Sequence, residues 1–174
     1  MTAVGYRALA AAVTSYANTA VGKNALEANT SAYANTAVGY RAMAAQTTGG
    51  GNTAMGEAAM AGCNSASASQ NCAFGQYALA GTLAGYGNTA VGYASMSADS
   101  QGAIGNSCFG RESGNAITTG DYNTLLGLNA GNAITTGSQN IVIGYNSDIN
   151  AVGGSTQIVI GDSIDGKGNS TGFI

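Results

Sequence analysis

The chain reads as an all-β protein, a parallel β-solenoid or β-roll of about ten 17-residue coils. Three observations predict it. Ten glycines, Gly5, Gly22, Gly39, Gly56, Gly75, Gly92, Gly110, Gly127, Gly144 and Gly161, recur in seven steps of 17 residues, one of 19 and one of 18. Four residues ahead of each from the second onward stands Asn18, Asn35, Asn52, Asn71, Asn88, Asn106, Asn123 or Asn140, with Gln157 closing the series. Between Asn and Gly lie three residues in a strand-like alternation, as in "NTAVG" at 35 to 39. So strict a period means one supersecondary unit per copy, each contacting only its neighbours.

Within the motif the last residue before Gly is always bulky and apolar, from Val4, Val21 and Val38 through Met55, Phe74 and Phe109 to Ile160. The middle residue is small in six copies (Ala3, Ala20, Ala37, Ala54, Ala73, Ala90) and grows later through Cys108 and Leu125 to Val142 and Val159. The first is mostly Thr. Strand alternation places the bulky residue and the Thr on one face and the small residue on the other. The expectation is that the bulky face fills the coil, turning the Thr hydroxyls inward, while the small face presses on a second surface. On that expectation, glutamate at Ala37 and Ala54 disrupts an assembly, and changes at the corner residues Tyr40 and Glu57 do not.

Helix is the competing reading for Ala-rich stretches such as "RALAAAV" at 7 to 13. It loses because each Gly costs a helix interior about 1 kcal/mol, and a second set, Gly49, Gly85, Gly120, Gly137 and Gly154, marks another corner seven residues ahead of the motif Gly. Two corners per copy predict two short strands and two turns. At a strand spacing of about 4.8 Å, ten coils make a rod roughly 45 to 50 Å long. The Asn series is expected to form an inward ladder of amide hydrogen bonds that satisfies the corner backbone in every coil.

The repeat changes character along the chain. Through residue 97 the motif Gly is followed by a small residue and then Leu or Met, as in Ala25-Leu26, Ala42-Met43 and Ser95-Met96. Over 98–174 that bulky member becomes Gly114, Gly131, Asp148 and Asp165, and "GNAITTG" occurs twice. The 17-residue phase survives, so 98–174 reads as a continuation of the same roll with its internal filling exchanged between walls. Met1 occupies the Asn position of an incomplete first copy, and "GNSTGFI" at the end carries no recognisable cap. A segment of a longer fibre, or ends that stack on neighbours, is expected.

Composition excludes much chemistry. The 174 residues include 28 Gly, no Pro, no Trp and no His, with 7% charged residues and a net charge of -3. Arg7, Lys23, Arg41, Arg111 and Lys167 are scattered, which argues against nucleic acid as a partner. No run approaches a membrane-spanning length, and no metal or cofactor is expected. Acid-base catalysis has few candidates, Asp162 and Asp165 being the closest acidic pair in the sequence, and a glycan-cleaving β-helix enzyme is disfavoured. "GDSIDGKG" at 161 to 168 has Gly168 where a phosphate loop needs Ser or Thr. Asp162 and Asp165 read as solvated turn residues, and Tyr6, Tyr40, Tyr93 and Tyr145 as corner decoration. Cys63, Cys72 and Cys108 read as small buried hydrophobes, with Cys72 and Cys108 on opposite strand faces, too far apart to bridge.

The words "NTAVG" and "NIVIG" resemble the head repeat of YadA-like trimeric adhesins, and "GLNAGNAITTGSQNIVIGYNS" at 127 to 147 is similar to repeat regions of bacteriophage tail fibres. The resemblance spans almost the whole chain, on a short motif. It implies a left-handed roll, a homotrimer of rolls side by side, a virion or cell-surface location, and a distal tip that meets a host glycan or protein. The departures from the resemblance are a period longer than that of the shortest head repeats, and no neck, coiled-coil stalk or chaperone domain within these 174 residues. The other readings are a self-assembling extracellular filament and an ice-binding solenoid carrying the Thr file.

Overall fold

The computed structural model describes residues 1–81, 84–168 and 172–173. The end motif "GNSTGFI" falls mostly outside them. The protein is all-β: strands β1 (Thr2–Val4), β2 (Thr19–Val21), β3 (Thr36–Val38), β4 (Thr53–Met55), β5 (Cys72–Phe74), β6 (Thr89–Val91), β7 (Ser107–Phe109), β8 (Thr124–Leu126), β9 (Ile141–Ile143), β10 (Ile158–Ile160) and β11 (Gly172–Phe173) form one sheet in sequence order. Every neighbouring pair is parallel. Register never slips, with Thr19 opposite Thr36, Ala20 opposite Ala37 and Val21 opposite Val38. The 19-residue copy keeps it too, since Thr53 faces Cys72, so its two extra residues are absorbed outside the sheet.

One strand per coil forms, not two. The opposite wall is a run of turns in which the residues two and four beyond the motif Gly are left-handed, Arg41 at φ 57° and Met43 at φ 50° for example. A chain that alternates into the left-handed region cannot extend into a strand. It still bonds coil to coil: Leu26 N–H donates to Ala42 O at 3.0 Å, and Met43 N–H to Ala59 O at 2.9 Å. Isolated parallel bridges occur outside the strands: Tyr16 with Tyr33 and Ser69 with Tyr86, each two residues ahead of the motif Asn, and Asp148 with Asp165 on the turn wall.

The facing of the strands is the reverse of the expectation. The small residues fill the coil: Ala20, Ala37, Ala54, Ala73, Ala90, Cys108, Leu125, Val142 and Val159 are all 0% exposed. The bulky residues point out, with Val21, Met55, Phe74, Phe109 and Leu126 exposed, and beside them Thr19, Thr36, Thr53 and Thr89 are half-buried and Thr124 is exposed. The cause is the width of the coil. Leu26, Met43, Met60, Leu79 and Met96 reach in from the turn wall and are buried, leaving room only for an alanine opposite. A left-handed Leu or Met costs about 1–2 kcal/mol, and burying its side chain contributes about 1.5–3 kcal/mol, so packing carries the strained backbone.

Two glycines show the reciprocal arrangement. Gly114 and Gly131 hold the same left-handed position (φ 59° and 61°), and a Cβ on Gly114 would stand 2.8 Å from both Cys108 Sγ and Leu125 Cδ1. There the strand supplies the bulk and the turn wall gives it up. The sheet crosses residue 98 without a break.

Candidate functional site

Among the described residues no three His, Cys, Asp or Glu side chains group as metal ligands, and no helix is long and apolar enough to cross a membrane. The structure instead offers two repeating arrays, one inside and one outside. The inner array is the Asn series. Asn35 N–H donates to Asn18 Oδ1 at 2.8 Å, and the same bond links Asn52 to Asn35, Asn71 to Asn52, Asn88 to Asn71, Asn106 to Asn88, Asn123 to Asn106, Asn140 to Asn123 and Gln157 to Asn140. The amide nitrogens donate across the corner: Asn35 Nδ2 to Gly49 O, Asn71 to Gly85 O, Asn106 to Gly120 O, Asn123 to Gly137 O and Asn140 to Gly154 O. Each is buried, so each amide satisfies backbone groups that water cannot reach.

The motif glycines stack beside this ladder. Gly39 has φ 136°, and a Cβ on it would stand 2.4 Å from Gly56 O, so conformation and space both exclude a side chain. Gly22, Gly56, Gly75, Gly92, Gly110, Gly127 and Gly144 repeat the arrangement against the next coil, while at Gly161 the nearest side chain is Ile164.

The outer array is the exposed strand face. Along β2 to β10 it carries Val, Met, Phe, Leu and Ile beside Thr19, Thr36, Thr53, Cys72, Thr89, Ser107, Thr124, Ile141 and Ile158. Neither this face nor any other position of β1 to β10 holds a charged residue. All nine tyrosines lie on the two corners that flank it, and all are exposed. Tyr6, Tyr40, Tyr77, Tyr93 and Tyr145 follow the motif Gly; Tyr16, Tyr33, Tyr86 and Tyr122 precede the Asn. Tyr16 and Tyr33 stack with centroids 5.4 Å apart, Lys23 Nζ lies 6.0 Å from the Tyr6 ring and 5.8 Å from the Tyr40 ring, and Arg111 sits 5.5 Å over Tyr93. A dry band with aromatic margins has the composition of a contact surface.

The cysteines divide between the arrays. Cys63 and Cys108 are buried, and burial pushes both thiols up to about 12, which keeps them protonated and inert. Cys72 is half-buried on the outer face, a correction to its assignment as a buried hydrophobe, and partial burial raises its thiol as well. Asp162 and Asp165 are exposed, and Asp165 pairs across a parallel bridge with Asp148 on the coil before.

Asp148 gives a pH prediction. Burial raises its pKa, bonds from the Ala133 and Ile149 N–H groups oppose the rise, and the charge of Asp165 adds to it. With the folded pKa above the unfolded one, the folded state holds the extra proton in the window between them. This carboxyl therefore opposes folding above its raised pKa, and the penalty fades as pH falls through it. Asp148→Asn removes the titration, so wild type should gain stability relative to the variant on acidification through that window. Paired thermal melts across mildly acidic pH measure the difference.

No known family model matches this chain, nor does any curated protein or solved structure.

Proposed function

We propose that the chain is a structural, adhesive fibre segment: a stiff left-handed rod that assembles side by side into a homotrimer on a virion tail fibre or cell surface and presents a host-attachment tip. The observation that carries it is the uncharged outer band running unbroken along ten coils. Three-residue strands give a band about 10 Å wide and roughly 45 Å long, close to 450 Å². A stable interface takes about 800 Å² from each partner, so the tyrosine margins belong to it. Those margins differ from one another. In a ring of three the band faces the axis and one margin of each copy meets the opposite margin of the next, a heterologous contact that closes. Support for three copies and for the hand comes from the adhesin and tail-fibre resemblance. No catalytic role is part of this reading.

Light scattering after size exclusion tests it. The expected mass is three times the 17.0 kDa chain, with Cys72 shielded from alkylation until the copies are separated. A single-chain mass with freely alkylated Cys72 overturns the assembly.

One observation favours a second reading. The Thr file points outward, not inward, which supports a repeating hydroxyl surface in the first coils as a site for ice. Phe74 and Phe109 interrupt its flatness, and Ile141 and Ile158 end it. Thermal hysteresis by a monomeric chain would establish this reading in place of the fibre.

A further inference from the structure

The first three coils carry an excess of positive charge on one flank of a chain whose net charge is -3. Arg7, Lys23 and Arg41 stand there against Glu27; Glu57, one coil on, is hydrogen-bonded to Gln76 Nε2 at 2.9 Å. Glu27 is already committed, one oxygen to Arg7 at 2.6 Å and the other to Asn24 Nδ2. Lys23 lies between the Tyr6 and Tyr40 rings. Arg41 is exposed and makes no ion pair among the described residues, although its N–H bond to Lys23 O at 3.0 Å fixes its backbone. Beside it Asn24, Glu27, Tyr40, Ala44 and Ala45 line a groove of about 260 Å³.

We propose that this groove binds an acidic sugar, a carboxylate-bearing pyranose of a polyanionic glycan. The Arg41 guanidinium presents the planar fork that a carboxylate takes with two parallel hydrogen bonds. The Tyr40 ring lines the groove with one face toward Lys23, and its other face suits the C–H side of a pyranose. Glu27, held by Arg7 and Asn24, accepts from sugar hydroxyls without having to be ordered first. Sulfate would meet the Glu27 carboxylate with nothing to donate to it, whereas the hydroxyls of a sugar acid donate. The alanines make the floor shallow. The volume lies below the range of about 300–1,000 Å³ that holds drug-sized ligands, and it suits one ring. The groove lies within one chain, but Tyr40 also stands on a margin given above to the assembly, so a sugar and a neighbouring copy compete for its ring.

Saturation-transfer NMR on the intact chain, with methyl glucuronoside as probe and neutral methyl glucoside beside it, tests the site. A lost charge-assisted hydrogen bond is worth about tenfold or more in affinity, so Arg41→Gln should weaken the glucuronoside by about that factor while circular dichroism stays unchanged. Arg41→Lys keeps the charge but not the fork and should recover only part of the loss. Arg111→Gln, which alters the ion pair with Glu112 elsewhere on the rod, should leave binding as it was. Equal binding of the neutral glucoside, full binding by Arg41→Gln or Arg41→Lys, or displacement by sulfate as effective as by the sugar acid would each overturn the proposal.

Discussion

Replacing Asn88 by alanine is expected to destabilise the solenoid by about 4 kcal/mol, from two buried groups orphaned at about 1–3 kcal/mol each and the donors lost with them. Asn88 Oδ1 accepts from Asn106 N–H at 3.0 Å and Asn106 Nδ2 at 3.1 Å, and Asn88 Nδ2 donates to Ala103 O at 2.8 Å. Alanine supplies neither function at a position that is 0% exposed. The contrast is Gln76→Ala, whose amide meets only the exposed Glu57 carboxylate; a change of at most about 0.5 kcal/mol is expected there. Urea unfolding of the two variants measures the difference. Because each coil contacts only its neighbours, hydrogen exchange should show Asn88→Ala opening the middle coils first and the ends later.

The period, the parallel sheet and the coil were legible because they repeat: one ambiguous motif is weak, but ten in phase are not. The position of the Asn file was legible for the same reason, since a buried corner must satisfy its backbone in every copy. The facing of the strand was misjudged by residue size, although parity held the answer. Asn35 and Ala37 are two residues apart, so an inward amide at one sends the other inward too. Volume misled because the Leu and Met of the turn wall, spaced outside the motif, occupy the interior that Val38 was expected to fill. That wall was misjudged as a second strand because nothing in Arg41 or Met43 as residue types announces left-handed backbone; only Gly114 and Gly131, standing where copies elsewhere have Leu or Met, betray it. The groove by Arg41 had no sequence signal. It arises from residues of neighbouring coils brought side by side.

The two faces separate in a paired substitution. Ala54→Glu places a carboxylate in a fully buried file where no cation stands, at a cost of several kcal/mol that approaches the stability of a small domain. The expected product is an unfolded or aggregated chain, not the folded but unassembled chain that an inward bulky face would have given. Met55→Glu changes the adjacent residue, exposed on the outer band. It should fold with an unchanged circular dichroism spectrum yet run as a single chain, because three carboxylates cannot be gathered along one dry axis. Size exclusion of both variants, read beside their spectra, distinguishes the outcomes. A folded but unassembled Ala54→Glu would reverse the facing again, and an assembled Met55→Glu would move the interface off the strand band altogether.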